Sequence, residues 1–258
     1  MNDTVRQIKY SGFFSADGLK WIAMLAMLLD HAYFILPNMG MWMTCVGRIA
    51  FPIFAFQAAE GIRKTHDIKK YIKRLTVFAL ISEIPFDLFA NGMMVYPYHQ
   101  NVIFTLLIAV VTIHLIKKVS AGRRHRWTVI LIGFCGPLLA EAMFTDYGWK
   151  GVATVMAFYL CAPESGKIAE KYKKPVLLAL MIMLHVWLAY GEILEFTVFR
   201  HLVSFPLQGF ALFALIPVFL YNGERGKYGR TMQKITYVFY PVHMMILYII
   251  QQLYSAGV

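Results

Sequence analysis

Apolar residues run along this chain in stretches long enough to cross a bilayer, and each stretch gives way to a short polar loop before the next begins. A spanning helix needs about 20 such residues at 1.5 Å each. The runs predict helices over residues 19–36, 41–62, 71–90, 101–116, 127–144, 148–161, 175–193, 201–221 and 232–254. The expected fold class is therefore all-α, a polytopic transmembrane helical bundle of about nine helices. No internal repeat, low-complexity stretch or long linker divides it, so a single membrane domain over residues 1–258 is expected. The segment Met1 to Gly18 is polar and carries no small-residue cleavage site before the first apolar run. The first helix is thus expected to stay in the mature protein.

Charge turns this pattern into a topology. Every Lys and Arg except Arg48, Lys150 and Arg200 falls in, or within about one helical turn of, the N-terminal segment or the loops after the second, fourth, sixth and eighth predicted helices. With nine helices, all of those segments lie on one side. The positive-inside rule then puts the N-terminus in the cytoplasm and the C-terminus outside. The formal net charge of +11 is accordingly read as topology and anionic-lipid contact, with no nucleic-acid partner expected. Composition agrees: 59% of residues are hydrophobic and only 15% are charged, too few to surface a soluble domain of this length. Cys45, Cys135 and Cys161 have no metal-ligand spacing, and neither a disulfide framework nor a metal site is expected.

Candidate chemistry lies in the polar residues that this pattern places within helices. Asp30 and His31 fall in the first helix, Arg48 and Glu60 in the second, and Glu83 and Asp87 in the third. Glu141, His185 and His243 follow in the fifth, seventh and ninth. An ionised side chain at a helix centre costs about 2.5–3.5 kcal/mol on insertion scales, so these groups must pair or line a wet chamber. Asp30 and His31 are adjacent and point about 100° apart, which makes Arg48 the better partner for Asp30. Glu83 and Asp87 share a helix face, as do Asn101 and Thr105 across the next loop, and Tyr240 and His243 are three apart beside Pro241. Other polar residues have ready structural roles: His185 reads as a satisfied core histidine, and Asp146, Tyr147 and Gly148 as a tight outer turn between the fifth and sixth helices.

Lys20 and His31 are eleven residues apart, which returns a helix to within about 20° of the same face some 16 Å further on. That line suits an extended ligand with an anionic head and a long neutral arm, the shape of acyl-coenzyme A. It equally suits a lysine that snorkels to the interface above an unrelated histidine.

The segments LKWIAMLAMLLDHAYF, GRIAFPIFAFQAAEGIRKT, KRLTVFALISEIPFDLF, NVIFTLL, DYGWKGV and YVFYPVHMMIL, in this order from the first helix to the ninth, resemble the TraX family of bacterial membrane proteins. The family's founding member acetylates the N-terminal residue of F-type conjugative pilin. The family also resembles a branch of the larger membrane acyltransferases, which use a first-helix histidine and acyl-coenzyme A. Many of those carry a basic or polar residue eleven positions earlier, commonly Arg where this chain has Lys20. The resemblance implies a multi-pass protein of the bacterial cytoplasmic membrane that moves an acetyl group from acetyl-CoA, its cosubstrate, to an acceptor at the outer face.

On that reading His31 is the catalytic residue, as general base or as covalent acetyl carrier, with Asp30 and with Arg48 as oxyanion stabiliser. Glu83, Asp87, Asn101, Thr105, Tyr240 and His243 are candidates for the acceptor pocket. Lys20, Arg63, Lys73 and Arg74 are candidates for the coenzyme phosphates. The acceptor stays open between peptide, glycan and lipid headgroup. Two rival classes fit the same residues: a secondary transporter using intramembrane acids and histidines as a proton relay, and a non-catalytic assembly factor.

Overall fold

A computed structural model of the chain describes residues 12–121, 126–163, 168–189, 191–198 and 200–256. The basic residues Arg6, Lys9, Arg123, Arg124 and Lys167 lie outside the described residues. The helices are α1 (Ala16–Ile35), α2 (Trp42–Gly47), α3 (Ala50–Lys64), α4 (Ile68–Asn91), α5 (Val102–Ala121), α6 (Arg126–Ala142), α7 (Gly148–Leu160) and α8 (Glu170–Ile182), followed by α9 (Leu215–Phe219) and α10 (Gly229–Ser255). Three stretches, Ala16–Ile35, Trp42–Lys64 and Val102–Ala121, are long and apolar enough to cross a membrane. Ile130, Leu131, Phe134 and Leu138 on α6, and Val238, Ile246, Ile249 and Leu253 on α10, turn outward and are exposed. Apolar stripes of that extent belong against lipid rather than water.

The sequence pattern and the structure part at three places. The single helix expected over 41–62 is two, because Pro52 has no N–H to give the Arg48 carbonyl four residues back. The seventh predicted helix, 175–193, begins earlier, at Glu170, and ends in a π turn at Met183–Trp187. The eighth, 201–221, is helical only from Leu207 onward. Its first residues form β2 (His201–Pro206), paired antiparallel with β1 (Ile193–Val198) in register Val198↔His201. The β-branched side chains of Ile193, Thr197 and Val203 favour extended backbone. Arg200, at φ +68° in the tight turn, supplies the left-handed residue that short hairpins use.

Six helices close into a ring: α1 packs on α10, α10 on α4, α4 on α5, α5 on α7, α7 on α3, and α3 on α1. One contact sets the level of two of them. Asp17, in the first turn of α1, accepts the backbone N–H groups of Tyr228 and Gly229 at 2.8 Å each through Oδ2, satisfying orphan donors at the start of α10. Both helices therefore start together and rise side by side.

Candidate functional site

That shared start explains a meeting deep in the ring. His31 is fourteen residues beyond Asp17 and His243 fourteen beyond Gly229, so both imidazoles stand about 21 Å up parallel helices. His31 Nδ1 lies 2.8 Å from His243 Nε2. The ring planes are 4° apart with centroids at 5.0 Å, so the rings meet edge to edge in nearly one plane. His243 Nδ1 lies 2.7 Å from the Phe239 carbonyl oxygen, which can only accept. That fixes the protons. Nδ1 of His243 carries a hydrogen, its neutral Nε2 is bare, and His31 Nδ1–H donates to it. The remaining nitrogen, His31 Nε2, is left with a lone pair and no hydrogen-bond partner among the described residues.

His31 lines a cavity of about 870 Å³ inside the helix ring. Its wall runs along α4 from Leu75 to Ala90, fifteen residues or about 22 Å. Beside His31, Asp30 Oδ1 accepts from Thr44 Oγ1 at 2.6 Å and from Arg48 Nη2 at 2.7 Å, and Arg48 Nη2 also reaches Thr44 Oγ1 at 2.8 Å. Asp30 and Arg48 thus form the pair expected of two charges embedded in neighbouring helices. Gly47 makes the approach possible: a Cβ there would stand 2.4 Å from Asp30 Cβ. The Nε of Arg48 is buried without a partner among the described residues.

The acceptor-pocket candidates divide. Tyr240 lines the cavity, and His243 stands behind His31. Glu83, Asp87, Asn101 and Thr105 stand outside the lining. Asn101 caps the first turn of α5 through the Ile103 N–H and binds Glu83 and the Ala79 carbonyl. Asp87 accepts from Tyr96 N at 2.8 Å, and Thr105 donates to the Asp146 carbonyl. These four hold the wall in place.

The four phosphate candidates also stand outside the lining, and three differ in what engages them. Lys20 pairs with Asp17 at 3.5 Å, and Arg63 with Glu60. Lys73 is exposed on the outer side of α4. Arg74 alone adjoins the cavity, its Nε donating at 3.3 Å to the hydroxyl of Tyr237, a wall residue near the Leu75 end.

At the opposite end the sequence reading missed His99, Tyr147, Lys150 and Glu192, all on the wall. Tyr147 stacks on Phe51 at 3.8 Å and adopts φ +65°, a strained angle for a tyrosine. His185, expected as a core histidine, does accept that role through Thr154 at 3.1 Å, yet it also borders the cavity.

His99 Nε2 lies 3.9 Å from Asp146 Oδ1 in the loops outside the helices. The Asp146 carboxylate holds the His99 imidazole above its ordinary value, against the opposing effect of its burial. A raised folded-state value means the contact stabilises fully below about pH 6.5 and is lost as pH rises through the folded value. Asp146→Asn is therefore expected to lower thermal stability at about pH 6 and to change it little near pH 9. With 42% and 35% of the side chains exposed, the difference stays below about 1 kcal/mol. Thermal melts of both proteins across this range check it; an equal gap at both ends would refute it.

Residues 15–251 match the TraX protein family. A probable fimbrial assembly protein FimC, serogroup H1, of Dichelobacter nodosus is 30% identical over 247 residues, 91% of this chain and 94% of that protein. Protein TraX of Escherichia coli is 28% identical over 145 residues, 55% of this chain and 54% of that protein. Its counterpart from strain K12 is 30% identical over 138 residues, 53% of this chain and 52% of that protein. No solved structure matches. With nearly the whole helical ring inside the matched region, the chain belongs to the TraX family.

Proposed function

We propose that this protein is an acetyl-CoA-dependent acetyltransferase of the bacterial cytoplasmic membrane, moving an acetyl group from the cytosol to an amine or hydroxyl at the outer face. Its N-terminus is cytoplasmic and its C-terminus outside. The observation that carries the reading is the bare Nε2 of His31 on the cavity wall, held in that tautomer by His243. A transporter or an assembly factor has no need of a fixed imidazole tautomer at that place. The Dichelobacter relative's name speaks of fimbrial assembly, which favours a pilin-like peptide as acceptor over a glycan or a lipid headgroup.

The cavity suits the cosubstrate. Its volume is within the 300–1,000 Å³ range of small-molecule sites. Its length along α4 takes an extended arm, with Arg74 beside the Leu75 end for the phosphates. Acetyl-CoA supplies the activated acetyl carbonyl. His31 Nε2 takes the proton of the acceptor as its nitrogen or oxygen bonds to the acetyl carbon. The carbon–sulfur bond breaks, and His31 returns that proton to the departing sulfur. The Arg48 guanidinium, on the cavity wall, is the donor available to the carbonyl oxygen as charge develops there. The same lone pair on His31 also serves the route through an acetyl-histidine.

Calorimetry of acetyl-CoA binding to the detergent-purified chain tests the reading. Saturable binding is expected, weakened about ten-fold by Arg74→Ala and less than about two-fold by Lys20→Ala, whose partner is Asp17. A folded wild type that binds no acetyl-CoA would overturn it.

A further inference from the structure

A second cavity, of about 360 Å³, opens where α3 turns into α4 and α5 ends. Ile62 and Ile68 form an apolar base, and His66, His114, Lys117 and Lys118 surround it. No carboxylate lines it. Among the described residues neither lysine has an acidic partner, whereas Lys64 and Lys173 are paired at 2.9 Å and 2.6 Å. Asp67, the acid closest in the chain, is committed to the Lys70 N–H at 3.0 Å and the Lys70 ammonium at 3.4 Å. The start of α4 is therefore already capped, and the positive charge of this pocket comes from side chains.

Depth is the second observation. Lys64 ends the apolar stretch Trp42–Lys64 and Ala121 ends Val102–Ala121, so the pocket lies within a turn or two of two span ends. Lipid phosphates lie at that level. His114 is half-buried in the last turns of α5 and has no hydrogen bond among the described residues.

We propose that this pocket binds the phosphate of an anionic phospholipid headgroup, with Lys117 and Lys118 on the phosphate oxygens and the glycerol against Ile62 and Ile68. The apolar base favours a lipid over a hydrated free phosphate. The site is separate from the cavity of His31 and does not depend on acetyl transfer.

Titration of the detergent-purified full chain with short-chain phosphatidylglycerol, read as retained lipid by native mass spectrometry, tests this. Lys117→Gln/Lys118→Gln is expected to raise the half-saturating concentration roughly 30-fold, about five-fold for each lysine. Lys227→Gln/Lys234→Gln, which removes the same charge elsewhere, is expected to leave it within about two-fold. Equal weakening by both variants, or by neither, would overturn the site. Inorganic phosphate displacing the lipid at comparable concentration would overturn the lipid assignment and leave a free-phosphate site. Melting of each variant without lipid identifies any loss of binding that comes from unfolding.

Discussion

His31→Ala is expected to abolish turnover while leaving acetyl-CoA binding nearly intact. A positioned general base contributes about 10²–10⁴-fold, and a covalent carrier would cost at least as much. His243 touches neither the cavity nor the acceptor in this arrangement and acts through His31. His243→Leu removes the acceptor for His31 Nδ1–H, so the imidazole can flip its proton to Nε2 and lose the lone pair facing the cavity. The expected loss is of order ten- to a hundred-fold, the usual cost of removing a partner that orients an imidazole. His243→Gln keeps an acceptor oxygen on a flexible stem and is expected to recover most of it. Turnover against a peptide amine, with binding measured in parallel, checks both expectations. If Gln and Leu lower turnover equally, the tautomer account fails. If His31→Ala keeps turnover, the role assigned to His31 fails and acetyl transfer proceeds without it.

Much of this arrangement can be read from the residues, and the unread parts have physical reasons. Period and hydropathy locate most helices within a few residues, since burying a backbone in lipid leaves few alternatives. They misread residues 193–206, because an apolar run of β-branched residues is compatible with a helix until pairing decides it. Asp30 and Arg48 were expected to meet because a lone charge inside a span needs a partner. The meeting of His31 and His243 was not expected. Two helices running in parallel follow from the odd helix count, but adjacency depends on Asp17 clamping the start of α10, and no local pattern announces that contact. Lys20 shows the reverse failure. Its eleven-residue spacing is sound helix geometry, yet an acid three positions earlier holds the ammonium away from the cavity. Asn101 and Thr105 share a face as expected, but that face looks into the protein, toward Glu83 and the Asp146 carbonyl.

Breaking the Asp30–Arg48 pair is expected to cost stability and activity by separable routes. Removing one partner of a fully buried pair costs about 3–5 kcal/mol, because the other charge is left without compensation. Here 25% of the Arg48 side chain and 17% of that of Asp30 remain exposed to the cavity, so Arg48→Met is expected to destabilise by about 2 kcal/mol. Asp30→Asn/Arg48→Met leaves no bare charge and keeps a polar group against Thr44. It is expected to regain most of that stability. Activity should not follow. The double variant still lacks the guanidinium proposed to meet the acetyl oxygen, and loss of one such donor costs about 10²–10³-fold in turnover. Thermal unfolding and turnover of the two single variants and the double variant close the cycle. A double variant as unstable as Arg48→Met would show that Arg48 packs rather than pairs. One that regains activity along with stability would remove Arg48 from the chemistry and leave His31 to act without it.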